Sequence, residues 1–112
     1  MREVGLPMRE TRERTPGAII AYQLGEISPN LKARFTERVL GADRKVEGRT
    51  YRRRGFLDEV PHWKVNRGVL LVRAEDRTRV VRALREWTRD VEWWEVALTH
   101  QQVRRLQRTP SG

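Results

Sequence analysis

The chain contains no cysteine. That excludes a disulfide framework, cysteine-based zinc sites and thiol catalysis, and gives no sign of secretion. Long apolar runs are missing too. The longest, residues 18–22, falls far short of the roughly 20 residues a helix needs to cross a bilayer. The opening MREVGLPMRETRERTPG carries charge where a signal peptide would be apolar, so a soluble cytoplasmic protein is expected. No Ser–His–Asp set, phosphate-cradling glycine loop or dinucleotide fingerprint is present. The chain is therefore expected to have no catalytic site, metal or cofactor and not to be an enzyme.

Lysine is scarce: Lys32, Lys45 and Lys64 are the only lysines among 24 basic residues. Arginine supplies the rest, and with them a formal net charge of +9 over 112 residues. A domain this basic is drawn to polyanions, of which nucleic acid is the commonest. The planar arginine fork suits phosphate and stacks on bases. A GC-rich genome or a thermophilic host would raise arginine as well, so composition alone does not separate these causes. An anionic membrane would call for a basic amphipathic helix with a strong apolar face, and none is clear.

The length allows one core. Residues 1–16 mix both signs of charge with Pro7 and Pro16 and show no apolar period, which predicts a flexible arm. A single domain is expected over 17–108 and a disordered tail over 109–112. Residues 17–24, GAIIAYQL, read as a central strand buried on both faces. Ser28 before Pro29 is a helix start, with Leu31, Phe35 and Val39 at four-residue spacing and Gly41 as a C-terminal cap. Residues 46–57 read as a strand too charged for burial on two sides, hence a sheet edge. VLLV at 69–72 is a second buried strand. Glu75 and Asp76 open a helix with Val80, Val81, Leu84 and Trp87 on its apolar face. VEWWEVAL at 91–98 returns to strand, and Thr99 with Gln102 forms a capping box for a short last helix.

This order predicts the ferredoxin-like, split βαβ (βαββαβ) arrangement: an antiparallel sheet with two helices on one face, plus a short C-terminal helix. The crossover rule puts the first and third strands, the two most apolar, at its centre. The other sheet face would be open to a ligand or a second subunit.

The stretch RTYRRRGFLDEVPHWKVNRG concentrates what chemistry there is. Arg49, Arg52, Arg53, Arg54, Lys64 and Arg67 surround Tyr51 and Trp63, residue types that pair with phosphate and stack on bases. Strand alternation sends Arg52 and Arg54 to one face and Arg53 to the other. Tyr22, Trp93 and Trp94 are further stacking candidates, with core or dimer packing as the plainer reading. Asp58, Glu59 and His62 lack the spacing of a metal motif and read as exposed charges beside a packed histidine.

The layout, with its terminal LTHQQVRRL, resembles the small CRISPR-associated ferredoxin-like nucleases that act as dimers. That family carries an aspartate at the end of its first strand, where this chain has Tyr22-Gln23-Leu24-Gly25-Glu26, so no site is carried over. The expected function is non-catalytic binding of RNA or DNA, through arginine contacts to phosphate and aromatic stacking, by a homodimer of the chain, with no membrane partner. The alternative is an interaction or assembly subunit whose arginine-rich loop pairs with an acidic protein.

Overall fold

A computed structural model of the chain describes residues 14–107. In order, the elements are β1 (Thr15–Tyr22), α1 (Pro29–Phe35) running into a π-helical turn (Thr36–Leu40), β2 (Ala42–Val46) and β3 (Arg49–Arg53). A 3-10 turn (Phe56–Glu59), β4 (His62–Asn66), β5 (Val69–Arg73), α2 (Ala74–Arg85), β6 (Val91–Leu98) and α3 (His100–Gln107) follow. Four strands make an antiparallel sheet in the order β4-β5-β1-β6, while β2 and β3 pair only with each other. β1 takes in Thr15 and Pro16, the last residues of the arm expected over 1–16. The remainder of that arm up to residue 13, and the tail expected over 109–112, lie outside the described residues.

The central pair is β1 and β5, the two most apolar strands, because only they can bury side chains on both faces. On one face Ala18, Ile20, Tyr22, Leu70, Val72 and Val91 meet the helices through Phe35, Val39, Val80, Val81 and Leu84. Phe35 sits between Tyr22 and Trp87, with ring centroids 5.6 and 5.7 Å away. The Ser28 hydroxyl accepts the Leu31 N–H at 3.2 Å and starts α1. Leu31 itself is exposed. Helical spacing aligns it with Phe35 and Val39 but does not set how far the sheet beneath them extends.

The opposite face is not open, as the sequence had led us to expect. α3 packs across part of it, burying Leu106 with Leu71 and Leu98 and packing Val103 with Ile19, Trp63 and Val96. The capping box forms: the Thr99 N–H donates to Gln102 Oε1 at 2.8 Å, and the Gln102 N–H to Thr99 Oγ1 at 3.2 Å. Gly17 makes room beneath, since a Cβ there would stand 2.6 Å from the Leu98 side chain. What stays uncovered includes Trp94, 52% exposed and opposite Ile19 in register.

The sheet edge is a second correction. Residues 46–57 were expected there, but β4 takes the position. All of β3 is exposed, and its alternating arginines leave no apolar face for either core. His62 and Trp63 give β4 two half-buried sides instead. A bulge absorbs Val65, Lys64 lying opposite Leu70 and Asn66 opposite Val69. Among the described residues no helix is long and apolar enough to cross a membrane.

The packing of α3 has a direct check. Leu106→Ala should cost about 2–5 kcal/mol through the cavity it opens, whereas Leu31→Ala, at an exposed site, should stay within about 0.5 kcal/mol. Urea unfolding midpoints measure both, and equal midpoints would mean that α3 is not part of the core.

Candidate nucleic-acid interface

The β2–β3 pair is a ribbon joined by a two-residue turn, Glu47–Gly48, with Val46 opposite Arg49. Both turn residues have positive φ, 53° and 79°, the requirement of the mirrored turns whose twist matches that of paired strands. Pairing register sorts the side chains. Arg49, Tyr51 and Arg53 share one face with Val46, Arg44 and Ala42 opposite them, while Thr50 and Arg52 share the other with Lys45 and Asp43. The first face carries three arginines and no acid. Arg44 lies 3.6 Å from Glu37 in an exposed pair, an arrangement worth at most about 1 kcal/mol.

The second face is tied inward at its base. Arg52 Nη2 donates to Asp58 Oδ1 and Oδ2 at 2.8 and 2.9 Å and to the Leu40 carbonyl at 2.9 Å, and Nη1 lies 3.5 Å from Asp43. Asp58 also accepts the Gly55 N–H at 2.8 Å. Its side chain is 2% exposed against 31% for Arg52, so the carboxylate is the buried member and the guanidinium its cover. Burial pushes the Asp58 carboxyl up. The hydrogen bonds from Arg52 and Gly55, with the charges of Arg52 and His62, outweigh that and hold it below the usual aspartate value. Asp58, read from sequence as an exposed charge, is thus a buried anchor. Two glycines let the backbones close over it: a Cβ on Gly41 would fall 2.6 Å from Arg52 Nη2, and one on Gly55 2.8 Å from the Val39 carbonyl. His62 packs nearby, its Nδ1 2.8 Å from the Val60 carbonyl oxygen.

The eight residues singled out by sequence do not form one patch. Arg49, Tyr51 and Arg53 come together on the ribbon, and Arg54 follows, exposed, just past its end. Arg52 is occupied by Asp58. Trp63 and Lys64 lie on β4, in the other sheet, and Arg67 in the β4–β5 turn, where its N–H donates to Asn66 Oδ1 at 2.7 Å. Trp63 and Lys64 join a groove of about 1230 Å³ beside α3, lined also by Gln101, Gln102, Arg104 and Arg105 and reaching Arg52. The Arg105 guanidinium sits 4.4 Å over the Trp63 ring, a contact worth about 0.5–1 kcal/mol at an exposed site.

Arg104 and Arg105 were missed, reading as the outer side of a short helix. Val103 and Leu106 tell which side turns inward, but nothing local tells which strand lies alongside. Of the other aromatics, Tyr22 is in the core and Trp93 packs against it beneath Arg77, 4.0 Å away. Tyr51 and Trp94 stand open, 51% and 52% exposed.

Asp58→Asn removes the buried partner of Arg52, leaving it only the exposed Asp43, and should cost about 1–3 kcal/mol. Since the folded carboxyl lies below an unfolded value of about 3.9, its stabilisation is present above that value. It is lost as pH falls through the folded one. Urea midpoints measured from neutral to strongly acidic pH should therefore show an acid-side decline that is shallower in Asp58→Asn. Parallel declines would remove Asp58 as the group responsible.

Compared with protein-family models, with curated proteins and with solved structures, the chain gives no match.

Proposed function

We propose that this protein is a non-catalytic nucleic-acid-binding domain of split βαβ, ferredoxin-like architecture that works as a homodimer. The architecture is supported by the strand order β4-β5-β1-β6 and by a helical segment on each side of the β4–β5 hairpin. Self-association is supported by Trp94, half exposed on the sheet face where a second copy would find an aromatic anchor.

One observation carries the binding reading: the ribbon face on which Arg49, Tyr51 and Arg53 stand exposed with no acid among them. Phosphates meet the arginine forks there, and Tyr51 offers a ring to a base or sugar. Lys64, Arg104 and Arg105 extend the positive surface along the groove. The remainder of the +9 charge steers a polyanion toward these elements.

Fluorescence polarisation with labelled RNA and DNA oligonucleotides, titrated over KCl, tests this. Affinity should fall log-linearly with salt. Arg49→Glu with Arg53→Glu should weaken binding by about tenfold or more and flatten the salt slope by about two. Binding that is absent at low salt, or indifferent to salt, would falsify the proposal.

A further inference from the structure

The ribbon has features that the proposed function alone does not require. It stands outside the four-stranded sheet, and apart from the half-covered Ala42 every residue of its two strands is exposed. Paired strands lie about 4.8 Å apart and five residues span about 17 Å. With side chains on both flanks, such a ribbon matches a B-form major groove about 12 Å wide and 8.5 Å deep, which admits a two-stranded ribbon.

Resting on the nucleic-acid reading above, we infer that the β2–β3 ribbon enters the major groove of double-stranded DNA and presents Arg49, Tyr51 and Arg53 to base edges. Three observations converge on this. The first is the sorting of side chains: the ribbon's own acids lie off that face, Asp43 on the other side and Glu47 in the turn, and Glu37 from the π-helical turn meets the face at Arg44 in an exposed pair. Arginine is the side chain that forks onto guanine O6 and N7. The second is pre-organisation. Arg52, on the opposite side, is fixed at the base by Asp58 and the Leu40 carbonyl, so the ribbon is anchored to the body before any partner arrives. The third is the scarcity of rings. Tyr51 is the one aromatic on either strand, whereas proteins that track single strands stack successive bases on several.

Duplex RNA is disfavoured by the same geometry. Its A-form major groove is deep and too narrow for side chains to read. Arg54, exposed where the ribbon meets the body, and Lys45 on the inner flank are left for phosphates along the groove walls.

The experiment is competition polarisation at one salt concentration. It uses a mixed-sequence DNA duplex, the RNA duplex of the same sequence, each DNA strand alone, and the DNA duplex methylated at guanine N7, which lies in the major groove. The triple variant Arg49→Ala/Tyr51→Ala/Arg53→Ala is run beside the wild type. All three positions are exposed, and unchanged urea midpoints confirm that it folds. The DNA duplex should bind about tenfold or more tighter than the RNA duplex or a single strand. N7 methylation and the triple substitution should each remove about tenfold or more. A minor-groove ligand such as netropsin should not compete.

Equal affinity for RNA duplex or single strands, insensitivity to N7 methylation, displacement by netropsin, or full binding by the triple variant would each overturn the ribbon inference. Each would leave nucleic-acid binding standing. No binding to any of the polymers at low salt would overturn both.

Discussion

An ion pair between a buried carboxylate, Asp58, and the partly exposed Arg52 holds the candidate interface to the body of the protein. Asp58 is sealed from water behind the Gly41 and Gly55 backbones, and a carboxylate in that position is costly unless its lone pairs are met. Arg52 and the Gly55 N–H meet them. Because Arg52 belongs to β3 while Asp58 belongs to the 3-10 turn beneath, the same bonds that offset the burial also fix the ribbon. Two consequences follow from one contact. Arg52 is committed to Asp58 and the Leu40 carbonyl, and strand alternation then turns Arg49, Tyr51 and Arg53 the other way.

The ribbon can project because the sheet does not need it. β1 and β5 are covered on one face by α1, its π-helical extension and α2, and on the other by α3. Two small cores on either side of one sheet leave few apolar residues unaccounted for, which suits a chain with 35% charged residues. The arginines are thereby free to serve surfaces. Their distribution is uneven: β6 carries Glu92 and Glu95 and no basic residue, while the ribbon and the α3 groove carry arginine and lysine.

Much of the scaffold was legible in the sequence. β1 and β5 announce themselves as the two apolar runs, and the serine–proline pair and the Thr99–Gln102 box mark helix starts through local hydrogen bonds. Val80, Val81 and Leu84 fix a buried helical face by spacing alone. These signals are legible because each depends on residues within a turn or two of one another. The edge strand was misassigned because Arg49–Arg53 within residues 46–57 do adopt strand geometry, and strand propensity says nothing about which strand is the neighbour. Alternation along the strand separated Arg52 from Arg53 as the sequence indicated, but that Arg52 would anchor on Asp58 was not legible.

By itself, then, the sequence determined a basic, cysteine-free α+β chain, the positions of its helices and central strands, and the segment in which arginine and aromatic residues gather. Tertiary structure decided which arginine is spent inward, that Asp58 is buried, that α3 closes part of a face otherwise open, and that Arg104 and Arg105 come beside Trp63. The physical reason is the same in each case. Local periodicity sets where a side chain points relative to its own backbone, whereas burial, ion pairing and groove formation depend on which distant segment arrives opposite it.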